Sequence, residues 1–195
     1  LRRIKELGTM GAGSTPKSGN DKYYDDGTHP WLNTGDVQNC IISSPQNFIT
    51  DLAVSECNMK YFTSGSVLVA MYGGGTIGNV GLLTFDSTVN QACCTISPYK
   101  FVYNKYLFYS LMAHREKLIS FGGGGTQVNL SQGTIGNFIV GLPPYEEQHA
   151  IADYLDAKCS DIDNRIEVID KTTEKYKALK KSLISEVVTG KRCVI

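Results

Sequence analysis

The sequence has no excess of either charge, no metal-binding pattern and no long hydrophobic run. Lysine and arginine number 19 and aspartate and glutamate number 19, so the formal net charge is zero. Composition therefore gives no indication of nucleic-acid binding, although a balanced total says nothing about local charged patches. The six cysteines form no CxxC pair and the three histidines are scattered, which excludes the usual zinc-ligand spacings. No metal or other cofactor is expected to be bound by this chain.

The sequence also contains no signal peptide, and no apolar run approaches the ~18 residues of a membrane span. Six cysteines without a pattern and without a secretion signal are typical of reduced thiols. These features predict a cytoplasmic protein.

Two nucleotide-binding motifs are excluded by their context. Gly73-x-Gly75-x-x-Gly78 has the spacing of a dinucleotide fingerprint and follows a predicted strand, but the fingerprint should open a helix. Residues 80–84 continue a β pattern instead, and no acidic residue occurs at 95–100. Neither glycine run leads into the Gly-Lys-Ser/Thr of a P-loop, and no residue is assigned a catalytic role.

One stretch has the start and stop signals of a long helix. Between Pro144 and Gly190 lie about 45 residues without glycine or proline, which at ~1.5 Å per residue gives a rod of roughly 65 Å. Pro144 suits the first helical position, and Glu146 and Glu147 place negative charge at the positive end of the helix dipole. Gly190 suits a left-handed cap at the other end.

An apolar seam runs along this predicted helix. Its members recur at spacings of four and three residues and shift slightly near the end: Leu155, Cys159, Ile162, Ile166, Ile169, Thr173, Tyr176, Leu179, Leu183 and Val187. This is the heptad pattern of a coiled coil with a small stutter. The rod is longer than the ~35–40 Å expected for the preceding domain, so we expect a partner helix from another chain or from a second half of a longer protein. The alternative is a surface helix lying wholly on its own domain.

The preceding residues predict an α+β fold with mixed order. A strand or helical turn is predicted at 2–7, a glycine-rich loop at 8–20, and strands at 29–33, 66–72, 80–85, 91–97 and 138–140. Short helices are expected after Thr50 and Ser131, and a longer one is expected to be capped by Asn104, to run through Leu118 and to end before Phe121. The predicted organisation is a domain at 1–142, the helix at 143–190 and a tail at 191–195.

Several motifs resemble, in the same order, the specificity subunits of type I restriction–modification systems. They are residues 13–18 (GSTPKS), 30–36 (PWLNTGD), 65–81, 90–91 (NQ), 125–130 (GTQVNL), 142–157 (LPPYEEQHAIADYLDA) and 183–191 (LISEVVTGK). The single glycine motifs are weak, whereas their order together with the start of the helix is specific.

The resemblance implies a non-catalytic subunit that recognises double-stranded DNA. Members of the family carry two target recognition domains and two helices paired antiparallel, whereas this chain has one of each. This difference implies either a half-length subunit that forms a homodimer or a fragment of a longer subunit. Methyltransferase subunits, and restriction subunits where present, would be the partners, and they would bind S-adenosylmethionine and ATP.

The resemblance and the loop composition together suggest which side chains contact DNA. These residues lie in glycine-rich or polar loops, where backbone and side-chain groups can approach phosphates or base edges: Thr15, Lys17, Ser18, Asn33, Thr34, Asp36, Tyr72, Gly74, Thr76, Gly124, Thr126, Gln127 and Asn129. Structural alternatives remain for some of them, with Asp36 as a loop cap and Tyr72 as a core residue. Trp31 is interpreted as a packing anchor.

Two other functions are left open by the sequence. A coiled-coil module could bind another protein without any DNA, which the neutral charge favours. A small enzyme could use the glycine loops, although no nucleophile, metal ligand or nucleotide fingerprint supports it.

Overall fold

A computed structural model describes residues 1–123 and 128–194. The chain forms two compact units, Leu1–Ala152 and Asp153–Ile195. The predicted α+β class is confirmed, because mixed sheets and short helices precede one long C-terminal helix.

Eleven strands occur within the described residues, and most are short. In chain order they are β1 Arg2–Arg3, β2 Gly8–Ala12, β3 His29–Leu32, β4 Cys40–Ile42, β5 Phe48–Ile49, β6 Tyr61–Phe62, β7 Val67–Ala70, β8 Val80–Leu83, β9 Ser87–Val89, β10 Cys93–Pro98 and β11 Ile139–Val140.

The α-helices are α1 Asp51–Glu56, α2 Asn104–Ala113, α3 Arg115–Ser120, α4 Gln132–Asn137 and α5 Tyr145–Val188. Two 3₁₀ turns, Ile4–Glu6 and Asp21–Tyr23, complete the helical structure of the described part. Thr50 and Ser131 accept the backbone N–H of the third helical residue and so cap α1 and α4, as predicted.

The largest sheet has five strands in the order β2-β10-β7-β8-β4, and only its β8–β4 pair is parallel. A four-stranded sheet has the order β5-β3-β9-β6, with β3 and β9 parallel. The remaining pair, β1 and β11, joins the N-terminus to the segment that precedes α5.

The five-stranded sheet is buried on both faces. Along β7, Val67 and Val69 contact the larger core cluster, which includes Leu107 of α2, and Leu68 and Ala70 contact the second cluster. This alternation follows from the period of two in a strand. It explains why β7 is apolar at every position.

The neighbouring strand β10 places two cysteines on opposite faces of the same sheet. Cys94 belongs to the larger cluster and Cys93 to the second one. Burial raises the pKa of each thiol to about 12, so neither is ionised near neutral pH.

A third cluster surrounds Trp31, whose indole packs near the buried Ile49 and Ala53. Its Nε1 donates a hydrogen bond of 3.1 Å to the carbonyl of Ser14, and its ring meets Tyr24 edge-on. Trp31 is therefore a packing anchor, as interpreted from the sequence.

The start of the chain differs from its prediction. Residues 8–12, predicted as part of a loop, form the edge strand β2 on β10. A Cβ at Gly8 would lie 2.4 Å from the carbonyl oxygen of Ser97, so glycine here permits close strand pairing.

Two helix predictions are also corrected. The helix expected from Asn104 to Leu118 is interrupted at His114 and forms α2 and α3, and Tyr103 rather than Asn104 is the N-terminal cap residue. Helix α5 begins at Tyr145, because the carbonyl of Pro144 accepts the Gln148 N–H and Pro144 is therefore the cap rather than the first helical residue.

Helix α5 otherwise has the predicted ends. Glu146 and Glu147 lie in its first turn, and Gly190 has a φ of 72°. Among the described residues, no helix is long and apolar enough to cross a membrane. The same residues contain no group of three or more potential metal ligands.

Candidate nucleic-acid interface

Three loops of the first unit and the segment 128–130 are linked by hydrogen bonds at or next to the short turn at residues 89–92. The first is the N-terminal loop, residues 13–20. Its Ser14 N–H donates to the carbonyl of Val89 at 3.0 Å, and the Thr15 hydroxyl donates to the Gln91 side chain. Thr15 is thus held against the 89–92 turn while remaining exposed.

The other two loops and residues 128–130 contact the same turn or one another. The N–H of Asn90 donates to the carbonyl of Leu32, just before the turn at residues 33–39, at 2.8 Å. Met71, at the start of the glycine loop (residues 71–79), donates to Ala92 and accepts from Leu130, both at 2.8 Å. The predicted DNA-binding residues of these segments therefore belong to one neighbourhood of the fold.

The 33–39 turn is shaped by two of its predicted DNA-binding residues. The Asp36 carboxylate accepts from the Asn33 N–H at 2.8 Å, and the Asn33 side-chain oxygen accepts from the Gly35 N–H at 2.7 Å. The loop-cap alternative for Asp36 is thus confirmed. These oxygens stabilise the turn and leave Thr34 between them.

The glycine loop lies beside Thr34. Gly73 has a φ of 125°, and a Cβ there would lie 2.5 Å from the Thr76 Oγ1 and 3.5 Å from the Thr34 Oγ1. The Thr76 hydroxyl is buried and has no hydrogen-bond partner within the described structure. A hydroxyl left in this state costs about 1–3 kcal/mol unless a ligand or water pairs with it.

The neighbours of Gly73 in the glycine loop are open to the surface. A Cβ on Gly74 would have nothing within 4 Å, so a ligand could approach its backbone directly. Tyr72 is 37% exposed, which rules out the alternative that it is a core residue.

The remaining predicted DNA contacts divide into those that the structure describes and those that it does not. The described ones, Lys17, Ser18 and Asn129, are exposed, and the backbone of Asn129 exchanges hydrogen bonds of 2.9 and 3.1 Å with Gly123. The others, Gly124, Thr126 and Gln127, lie outside the described residues.

Sequence reasoning missed Gln148, the buried polar residue that fixes the start of α5. Only 1% of it is exposed, and its Oε1 accepts from the Tyr103 N–H at 2.8 Å. Its Nε2 donates to the carbonyls of Phe101 at 3.2 Å and Pro143 at 3.0 Å. His149 stacks on the Tyr103 ring with centroids 3.6 Å apart, so the first turn of α5 is tightly held within the first unit.

The seam residues of α5 behave differently. Ile162, Ile166 and Ile169 are 54%, 49% and 61% exposed. Cys159 and three later members (Tyr176, Leu179 and Leu183) are also exposed, whereas Leu155 and Val187 are half-buried. The predicted apolar stripe is therefore present and largely uncovered within this chain.

Acidic and basic side chains are segregated along α5, although the net charge of the whole chain is zero. Within the helix, residues 145–167 contain seven acidic and two basic side chains, whereas residues 168–188 contain three acidic and five basic ones. The helix therefore has a negative N-terminal half and a positive C-terminal half.

Comparison with known proteins matches residues 1–175 to the type I restriction modification DNA specificity domain. The chain is 31% identical over 160 residues to the type I restriction enzyme MjaIX specificity subunit of Methanocaldococcus jannaschii. That match covers 80% of this chain and 36% of the relative. The EcoR124I/EcoR124II specificity subunit of Escherichia coli is 20% identical over 159 residues, with 80% and 39% covered.

Solved structures share the fold. A chain from a study of complex assembly and conformational transition of the type I R-M system gives a TM-score of 0.74 at 20% identity, covering 94% of this chain and 44% of that one. The HsdS subunit of Thermoanaerobacter tengcongensis gives 0.65 at 19% identity, with 94% and 43% covered. This chain thus spans less than half the length of these relatives, and it belongs to the family of type I restriction–modification DNA specificity domains.

Proposed function

We propose that this chain is a non-catalytic specificity subunit that recognises a bipartite DNA target and recruits methyltransferase, and where present restriction, subunits. The observation that supports this proposal most strongly is the gathering of three loops, 13–20, 33–39 and 71–79, and of residues 128–130 around residues 89–92. They present glycine backbone and small polar side chains on one part of the first unit. Such loops suit phosphate contacts that hold register and base contacts that specify sequence.

Since the first unit carries one set of loops, a bipartite target requires a second set. We propose that a second copy supplies it by pairing along the α5 seam. The exposed isoleucines support this, because about half of each side chain remains to be buried, which contributes about 0.8–1.5 kcal/mol per side chain on each copy. A two-fold pair would recognise an inverted repeat.

The charge distribution on α5 favours antiparallel pairing. In an antiparallel pair the acidic half of one helix lies beside the basic half of the other, whereas a parallel pair sets like charges side by side. This argument is independent of the apolar seam and agrees with it.

Cysteine cross-linking tests the orientation. An antiparallel seam centred between Leu155 and Val187 places the two Cys159 residues about 36 Å apart, whereas a parallel one brings them together. In a Cys40→Ser, Cys193→Ser background, we expect no dimeric cross-link from Cys159 alone and a strong one after Leu183→Cys. A cross-link through Cys159 alone would contradict the antiparallel pair.

The DNA function is tested by reconstitution with the methyltransferase subunits, S-adenosylmethionine and ATP. Because the chain has no net charge, we expect weak DNA binding by the isolated protein. Adding the partner subunits should give adenine methylation at a defined site. Absence of methylation, or equal methylation without this chain, would contradict the proposal.

A coiled-coil module that binds only protein remains a second candidate, since the zero net charge and the exposed seam would suit it equally. The same reconstitution separates the two functions. A protein-only module would bind its partner without changing where DNA is methylated.

A further inference from the structure

A polar cluster centred on the buried Asn79 connects two of the candidate DNA-binding loops. We name it the Asn79 cluster, and it consists of Asn39, Asn79 and Arg115. Asn79 is only 6% exposed, and its Nδ2 donates to the carbonyl of Val37 at 3.0 Å. Its Oδ1 accepts from the Arg115 Nε at 3.1 Å and from the Asn39 Nδ2 at 3.4 Å.

The other two members of the cluster bind backbone of the same region. The Arg115 guanidinium donates a second hydrogen bond of 2.8 Å to the carbonyl of Ile77. Asn39 has a φ of 56°, which asparagine tolerates better than most residues, and its Oδ1 accepts from the Val80 N–H at 2.9 Å. The cluster therefore joins the 33–39 turn, the glycine loop and helix α3.

Packing at Gly78 strengthens the same connection. Gly78 has a φ of 72°, and a Cβ there would lie 2.9 Å from the Ile119 side chain and 3.2 Å from the Arg115 Cγ. Helix α3 thus contacts the glycine loop directly as well as through hydrogen bonds. The loop cannot shift without moving α3 or breaking the cluster.

The predicted DNA contacts Thr34, Gly74 and Thr76 are on the two segments that this cluster joins. Hydrogen bonds have typical donor–acceptor distances of about 2.7–3.2 Å and weaken steeply when the angle at the hydrogen falls below about 120°, so base discrimination depends on how accurately these segments are placed relative to one another. The planar guanidinium of Arg115 donates to two separate acceptors, the Asn79 side chain and the Ile77 carbonyl. A lysine ammonium cannot reproduce this geometry.

We propose that Asn79 and Arg115 are positioning residues for DNA specificity. They set the glycine loop against the 33–39 turn and so determine how well the protein distinguishes its target from a target with one altered base pair. This inference rests on the proposed function of the loops. Neither side chain needs to contact DNA.

The test measures methylation by the reconstituted complex on its target and on targets with one altered base pair. Arg115→Met retains an aliphatic stem like that of arginine and removes both hydrogen bonds. We expect it to lower the ratio of target to altered-target methylation about tenfold, the effect of weakening one base contact. Lys5→Met is the control, because it removes a comparable hydrogen bond of 2.8 Å, from Lys5 to Asn137, on another part of the unit.

Arg115→Lys distinguishes positioning from direct phosphate contact. If Arg115 bound phosphate, lysine would restore binding and methionine would weaken target and altered target equally, leaving the ratio unchanged. Positioning predicts a lowered ratio for both variants, with thermal melting showing a folded first unit.

Asn79→Asp keeps the acceptors for Arg115 and removes the donor to Val37, and it replaces Arg115→Met if that variant does not fold. An unchanged ratio in folded Arg115→Met or Asn79→Asp protein would overturn the inference. If the wild-type complex methylated no defined site, the proposed function itself would fail, which is a separate result.

Discussion

Isoleucines in the two units of this protein have opposite environments. In the first unit, Ile4 and Ile135 are completely buried, whereas Ile162 and Ile169 of the second are 54% and 61% exposed. The first unit completes its core from its own strands and helices. The second presents the same kind of side chain in a regular row that stays exposed to solvent among the residues the structure describes.

Polar interactions differ in the same way. The first unit uses buried side chains such as Gln148 and Asn79 to satisfy backbone groups far away in sequence. Ion pairs along α5, such as Arg165 with Asp161 at 3.0 Å, are exposed and local. Pairs of this kind contribute only about 0.3–0.5 kcal/mol each. On the pairing proposed above, the second unit would be stabilised by a partner helix, whereas the first unit completes its own core.

The largest effect is expected from Ile166→Asp, which places a charge in the seam. Both copies of a dimer would lose the burial of a half-exposed isoleucine, so the association should weaken by about 2–3 kcal/mol from lost apolar burial alone, roughly thirtyfold or more in affinity. Light scattering should show a monomer, while the melting transition of the first unit stays unchanged.

Ser160→Asp is the matched control. Ser160 lies about 160° around the helix from Ile162, so the same charge falls outside the seam and the dimer should persist. A monomeric unmutated chain, or dissociation by both variants alike, would contradict the proposed seam.

The next effect, on folding rather than association, is expected from Gln148→Leu in the first unit. The change leaves the Tyr103 N–H and the carbonyls of Phe101 and Pro143 without their partner, which should lower the free energy of unfolding by about 3 kcal/mol. Denaturant unfolding measures the loss. As a control, Gln132→Leu on the exposed start of α4 should change the free energy of unfolding by less than about 0.5 kcal/mol. Equal losses in the two variants would show that the hydrogen bonds of Gln148 do not contribute to stability.

Two glycines of one loop give the next comparison. Gly78→Ala introduces a Cβ at a positive φ and against Ile119, so we expect a loss of about 2 kcal/mol in the free energy of unfolding. Gly74→Ala meets nothing within 4 Å and should leave stability unchanged. Similar melting temperatures for the two variants would contradict the close approach of α3 to the glycine loop.

The smallest effects concern two fully buried threonines. The Thr88 hydroxyl donates to the Pro30 carbonyl at 2.7 Å, whereas the Thr95 hydroxyl has no partner within the described structure. Thr88→Val should therefore destabilise by about 1 kcal/mol, and Thr95→Val should be neutral or stabilising by up to about 1 kcal/mol. Denaturation that ranks them in the opposite order would contradict these hydrogen-bond assignments.

Features determined by nearby residues could be predicted from the sequence. The caps at Thr50 and Ser131 and the limits of α5 follow from a few adjacent side chains. Heptad spacing likewise predicted which α5 residues form an apolar stripe, because helical geometry alone decides the face of each residue. The family resemblance rested on the order of motifs along the whole chain.

Features determined by distant residues could not be predicted. Gln148 and Arg115 bind partners up to 47 and 38 residues away, and no local pattern marks either side chain. Strands such as β5 and β6 have only two residues each and exist because a neighbouring strand pairs with them. Gly8 was assigned to a loop because glycine is common there, although close pairing with β10 is what requires it.

The central claim, that this chain determines where DNA is methylated, is tested most directly by methylome sequencing. The host would carry the methyltransferase genes and would be sequenced with and without the gene for this chain. A two-fold pair of recognition units predicts a methylated motif that depends on this chain and forms an inverted repeat with a fixed spacer. The half-sites should lie about one to two helical turns apart, at ~34–36 Å per turn. An unchanged methylome, or a motif that is continuous or not symmetric, would contradict the account.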